Sequence, residues 1–70
     1  MKVGDRVFVE QAWEDESGFY HDEIATVVAI NDGLMDLRFD RDDVTEWLRG
    51  CEYRVEDYTP IEGANEQKQK

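Results

Sequence analysis

The sequence predicts an all-β fold, a small barrel built from five short strands. The first observation is the Asn-Asp-Gly turn at residues 31–33, which stands between two apolar runs. Asp-Gly is preferred in tight hairpin turns because glycine tolerates a positive φ. The second is the alternation of Met35, Leu37 and Phe39 with charged residues, the period of a strand with one wet face. The third is the run 24–30, where β-branched side chains argue against a helix.

The first strand is predicted at residues 6–10, because this segment is rich in β-formers. Side chains alternate along a strand, so Val7 and Val9 share one face. Residues 11–18 are predicted to form an acidic loop that carries the isolated Trp13. A tryptophan in such a loop either folds back onto the core or stays available to a partner.

The remaining strands follow in order along the chain. The second is predicted from Phe19 to Ile30 and the third from Leu34 to Asp40. A tight turn at 41–43 leads to a fourth strand from Val44 to Arg49, and the fifth covers residues 51–56. Five strands with tight turns and no convincing helix indicate a barrel or roll.

Seventy residues allow one domain with a small core. The barrel is predicted to span residues 1–58, followed by a C-terminal extension at 59–70 that is a disordered tail, mobile from about residue 63. No apolar run approaches the roughly 20 residues of a membrane span, and no signal peptide is expected. The single Cys51 cannot form an internal disulfide and is expected to be buried, so a cytoplasmic setting follows.

The net charge of -10 comes from 18 acidic and 8 basic residues. Acidic side chains concentrate in three segments, 10–23, 40–46 and 52–62. Such a field repels phosphate, so direct nucleic-acid binding is disfavoured and a basic protein or peptide segment is the favoured partner. The alternative interpretation is that the acidic surface serves solubility alone.

Several short motifs together resemble a Tudor domain, over about residues 2–49. They are Lys2-Val3-Gly4-Asp5-Arg6, the loop with Trp13, Ser17-Gly18-Phe19-Tyr20, Ile24-Ala25-Thr26-Val27, Asp32-Gly33 and Leu37-Arg38-Phe39. Related SH3-like modules share much of this pattern. The resemblance implies a five-stranded SH3-like (Tudor-like) barrel.

The resemblance also implies an aromatic cage for a methylated lysine or arginine, since such cations are attracted to ring faces. Trp13 would be the first-loop aromatic, Tyr20 the second and Phe39 the third, with Asp42 as the polar residue of the cage. The fourth aromatic of the family is missing, because residues 41–43 (Arg-Asp-Asp) occupy that turn.

The predicted partner-binding surface combines these aromatics with a ring of carboxylates. Its residues are Trp13, Tyr20, Phe39, Asp42, Glu14, Asp15, Glu16 and Asp43. Trp13 and Tyr20 would otherwise form a satellite cluster beside the barrel. For Phe39 and Trp47 the alternative of packing in the core or at the barrel end is favoured.

Catalytic, metal and cofactor sites are not expected. His21 is the only histidine and has no cysteine or second histidine with which to anchor zinc. The sequence lacks a Ser-His-Asp set, a Cys-His pair and a phosphate-binding glycine loop. An enzyme is therefore not predicted.

Three functional hypotheses remain. The first is a non-catalytic module that binds a basic peptide or protein segment through the aromatic patch and its carboxylates. The second is an acidic mimic of nucleic acid, a phage-type inhibitor that occupies a DNA- or RNA-binding protein. The third is an assembly subunit that oligomerises through the strand edge at residues 51–56.

Overall fold

The computed structural model describes residues 1–61, and its main feature is one antiparallel sheet with strand order β1-β2-β3-β4. The strands are β1 (Arg6–Glu14), β2 (Tyr20–Asn31), β3 (Leu34–Phe39) and β4 (Tyr53–Arg54), with a helix α1 (Asp42–Trp47) and a 3₁₀ turn (Val55–Asp57). The sheet curls into a half-barrel. The predicted all-β character is thus confirmed, although the described residues form four strands and a short helix.

The core fills the concave side of the sheet and is covered by α1. Its buried members are Val7, Val9, Ala25, Val27, Met35, Phe39, Val44, Leu48 and Tyr53. The predicted face of β1 is confirmed, because Val7 and Val9 are buried while Phe8 is 47% exposed. All nine are apolar or aromatic, so the core depends on apolar burial with no buried charge among residues 1–61.

The hairpin between β2 and β3 is confirmed. Asn31 pairs with Leu34, which leaves Asp32 and Gly33 as the two loop residues. Their φ angles are 49° and 82°, as a turn that matches the twist of the flanking strands requires. On β3, Met35 and Phe39 point into the core, which confirms the predicted alternation.

The fourth predicted strand is wrong, because residues 42–47 form α1. Val44 and Leu48 are four residues apart, so a helix places both on its core face. The predicted turn at 41–43 is instead the start of this helix. The hydroxyl of Thr45 accepts a hydrogen bond from the Phe39 N–H at 2.7 Å, which fixes the helix against the end of β3.

The predicted loop at 11–18 is also wrong in part, because β1 continues through Glu14. A bulge separates its two halves: Val9 pairs with Glu23, and the next pair is Trp13 with His21. Gln11 has a φ of 54° and donates its backbone N–H to the Asp22 carboxylate at 2.9 Å.

The chain beyond β3 returns to the opposite edge of the sheet. After β4 and the 3₁₀ turn, Pro60 bridges Val7, and the Ile61 N–H donates to the Arg6 carbonyl at 2.8 Å. Contact with the sheet therefore extends past residue 58. Cys51 is exposed, so its predicted burial is wrong. The predicted mobility from residue 63 lies outside the described residues.

No helix within residues 1–61 has the length and apolar character needed to cross a membrane.

Candidate functional site

Trp13 is the centre of the candidate site, and the bulge in β1 decides where its side chain points. Four positions separate Val9 from Trp13 along β1, whereas only two separate Glu23 from His21 on β2. Both steps are even, so Trp13 stays on the same face of the sheet as Val9. Trp13 therefore continues the concave face beyond the core, at the end of the half-barrel.

Two neighbours on β2 hold the indole of Trp13 in place. The His21 ring stacks on it with a centroid separation of 4.3 Å and an interplanar angle of 14°. The indole N–H donates to Glu23 Oε2 at 2.8 Å. The indole is thus held by stacking and by a hydrogen bond, and the Glu23 carboxylate is held with it.

Arg41 places a cation over this indole. Its guanidinium carbon lies 5.5 Å from the Trp13 ring centroid, within the range of a cation–π contact. The same guanidinium donates to both carboxylate oxygens of Asp43, at 3.2 and 2.8 Å. Arg41 Nη1 also lies 3.7 Å from Glu23 Oε2. An aromatic face and two carboxylates therefore surround one guanidinium.

Trp47 forms a second aromatic wall. It packs edge-on against Trp13, with centroids 6.2 Å apart and an interplanar angle of 83°. Trp47 is 62% exposed and therefore lies outside the core, and its contact with Trp13 agrees with the other predicted alternative, packing at the barrel end. Because Trp47 lies at the end of α1, the helix that replaced the predicted strand is what brings the two tryptophans together.

Between these walls lies a groove of about 320 Å³, called here the Trp13 groove. It is lined by Trp13, Glu14, Asp15, Glu16, Arg41, Asp43, Val44 and Trp47. Four of the lining residues are acidic and one is basic, so the formal charges of the lining residues sum to -3. The groove thus combines aromatic surface with a strong preference for positive charge.

Asp15 organises the turn that forms one rim of the groove. Its Oδ1 accepts backbone N–H groups from Ser17 at 2.8 Å and Phe19 at 3.1 Å. Its Oδ2 lies 2.7 Å from His21 Nε2. The carboxylate therefore connects the turn to the histidine that stacks on Trp13.

Lowering the pH is expected to weaken this turn. The hydrogen bond with His21, followed by that from Phe19, holds the pKa of the Asp15 carboxyl below its ordinary value of 3.8. A group with a lowered folded-state pKa stabilises the fold above its unfolded pKa, and this contribution is lost as the pH falls through the folded one. Asp15→Asn should therefore be less stable than the parent at about pH 6, and the difference should narrow as the pH falls below about 4. Urea unfolding across this range measures the difference, and a difference that stays constant would contradict the role of the charge.

The structure brings five of the eight predicted site residues to one groove. These are Trp13, Glu14, Asp15, Glu16 and Asp43. Tyr20 pairs with Glu14, one position from the Trp13–His21 pair, so it lies on the other face of the hairpin and is 56% exposed.

Two other predicted residues also lie outside the groove. Phe39 is 3% exposed, which confirms its alternative place in the core. Asp42 is exposed at the start of α1 and does not line the groove. The three aromatics of the expected cage therefore do not surround one site in this structure.

Four residues of the arrangement were not among the predicted site residues: His21, Glu23, Arg41 and Trp47. The sequence signal for Trp47 was the i, i+4 spacing of Val44 and Leu48, which fits a helix that carries Trp47 beside its core face. No pattern in the sequence indicated Glu23. Its contact with Trp13 depends on the bulge in β1, which the sequence did not predict.

The described residues do not contain three or more His, Cys, Asp or Glu side chains arranged to hold a metal ion. Comparison of the chain with known protein families, with curated proteins and with solved structures found no match.

Proposed function

We propose that this protein is a non-catalytic interaction module that binds a basic peptide or protein segment in the Trp13 groove. The observation that carries the proposal is the position of Arg41, whose guanidinium lies 5.5 Å from the Trp13 ring centroid and is paired with Asp43. This contact within the chain supports the proposal that the groove accepts a cation. A cation is held against an aromatic face and neutralised by carboxylates.

Charge complementarity supports a basic partner. Four acidic residues and one arginine line the groove, within a chain of net charge -10. Such a field raises the rate of encounter with a cationic segment and disfavours phosphate. The two tryptophans supply the aromatic contact area that commonly anchors interfaces.

We also propose that the fold is an SH3-like, Tudor-like barrel closed by residues 60–61. The bridge between Val7 and Pro60 and the hydrogen bond from Ile61 to Arg6 support closure, because they join the segment after β4 to the free edge of β1. The strand edge proposed for assembly is less suited to its role, since only Tyr53–Arg54 is extended there.

A titration tests the binding function. We expect an Arg-Gly-Arg-Gly-Arg peptide to shift the indole N–H signals of Trp13 and Trp47 in nuclear magnetic resonance spectra, with a Kd of about 1 mM or tighter. A Glu-Gly-Glu-Gly-Glu peptide of equal length is the control and should leave both signals unchanged. No shift with the arginine peptide would contradict the proposal.

The same titration separates the module from the acidic mimic of nucleic acid. A mimic acts through spaced carboxylates, so raising the salt concentration should abolish its binding. Binding at low salt should then leave the indole N–H signals of Trp13 and Trp47 unshifted. Binding at the groove should move the indole signals at every salt concentration at which the complex forms.

A further inference from the structure

We propose that the partner supplies an arginine side chain that takes the place of Arg41, and that Arg41 is an internal competitor for the groove. This inference rests on the proposed function. It adds the type of side chain that is recognised. It also names the residue that holds the position of that side chain in the free protein.

The contacts of Arg41 are those of a bound ligand. The guanidinium meets an indole face, donates two hydrogen bonds to Asp43 and approaches Glu23 to 3.7 Å. One of these contacts, the bidentate pair with Asp43, depends on a planar group with a fork of N–H donors. A lysine ammonium is a compact and strongly hydrated charge that cannot form this bidentate pair, so the groove should prefer arginine.

Arg41 is suited to leave the groove. Its side chain is 52% exposed, and the Asp43 side chain with which it pairs is 70% exposed and only two positions away. Exposed ion pairs contribute little to stability, so the cost of moving Arg41 aside is small. Its backbone lies at the N-terminal boundary of α1, where its side chain makes no capping hydrogen bond.

Trp13 and Glu23, on the other side of the Arg41 guanidinium, are held in place by contacts that do not involve Arg41. The Glu23 side chain is only 12% exposed and accepts the indole N–H of Trp13 at 2.8 Å. The indole is in turn stacked on His21. When Arg41 moves out, this fixed pair of an aromatic face and a carboxylate is left with a vacant cation position, which an incoming arginine can fill.

An internal occupant lowers the apparent affinity by the fraction of molecules whose groove is free. A cation–π contact at a partly exposed position, together with its ion pairs, corresponds to about tenfold in occupancy. Arg41→Gln should therefore strengthen binding of the Arg-Gly-Arg-Gly-Arg peptide by about tenfold. The same factor applies to any ligand that needs the vacated position, so the preference for arginine is measured on one protein: Arg41→Gln should bind the arginine peptide more tightly than a Lys-Gly-Lys-Gly-Lys peptide.

Arg54→Gln is the matched control, because it removes the same charge from an exposed arginine. Arg54 pairs with Glu56 at 3.4 Å and does not line the Trp13 groove. It should change the affinity of both peptides equally and only slightly. Circular dichroism on each variant verifies that the fold is retained.

The outcomes separate this inference from the proposed function. Tighter binding of the arginine peptide by Arg41→Gln than by the parent, with weaker binding of the lysine peptide to the same variant, supports both. Binding by the parent that is unchanged or weaker in Arg41→Gln overturns the internal competitor and leaves the module standing. Equal affinity of Arg41→Gln for the two peptides overturns the preference for arginine. Absence of binding by the parent and by Arg41→Gln overturns both.

Discussion

Replacement of Phe39 by alanine is expected to lower the free energy of unfolding by about 3–5 kcal/mol. Phe39 is 3% exposed and packs edge-on against Tyr53 with centroids 6.1 Å apart, so truncation leaves a cavity in the centre of a small core. A domain of 70 residues has a total stability of roughly 4–10 kcal/mol. The variant should therefore be partly or wholly unfolded at room temperature, which urea and thermal unfolding followed by circular dichroism will show.

Phe19→Ala is the matched control, since it makes the same truncation at a residue that is 68% exposed. It should change the free energy of unfolding by no more than about 0.5 kcal/mol. The pair also separates the two interpretations of Phe39. A Phe39→Ala variant that keeps its stability and loses only peptide binding would return Phe39 to the partner-binding surface.

The place of Phe39 illustrates what the sequence determined well. Once the hairpin turn is fixed, only one register of β3 places its apolar residues on the core face. A shift of one residue would move every side chain of the strand to the opposite face. The Asp-Gly turn fixes that register, with Asn31 opposite Leu34. The core face of β3 and of the first half of β1 could therefore be predicted from residue types alone.

The segment after β3 could not be resolved in the same way. Val44 and Leu48 are four positions apart, a spacing that satisfies the face of a strand and the face of a helix equally. The hydrogen bonds of Thr45 to the Phe39 backbone help to select the helix, and these are contacts between segments. Tertiary context therefore decided the element that carries Trp47.

The acidic residues of the candidate site and Trp13 were predicted, whereas the other two rings, His21 and Trp47, were missed. Glu14, Asp15 and Glu16 stand next to Trp13 in the sequence, so proximity along the chain was sufficient to group them. Tyr20 was grouped with Trp13 because the resemblance to a Tudor domain makes it the second aromatic of a cage. The bulge at Gln11 extends β1 instead, and the pairing then puts His21 beside Trp13 and turns Tyr20 to the other face.

Replacement of Trp47 by alanine is expected to weaken peptide binding by about 2 kcal/mol, or roughly thirtyfold in Kd. Trp47 is the exposed wall of the Trp13 groove and meets Trp13 edge-on, so its loss opens the groove to water on one side. An aromatic wall that excludes water also strengthens the contact between a cation and the neighbouring ring. Titration of the arginine peptide by calorimetry measures the effect.

The fold should survive this change, because the Trp47 side chain is 62% exposed and alanine is a better helix former at the end of α1. The loss in unfolding free energy should be no more than about 1 kcal/mol. Phe19→Ala again provides the control, as an exposed aromatic that does not line the groove, and it should bind the peptide like the parent. If Trp47→Ala also binds like the parent while charge reversal of Glu14, Asp15 and Glu16 abolishes binding, the carboxylates alone recognise the partner. The acidic mimic of nucleic acid would then be the better explanation. Mimicry depends on the spacing of the carboxylates and does not require an aromatic ring that contacts a cation.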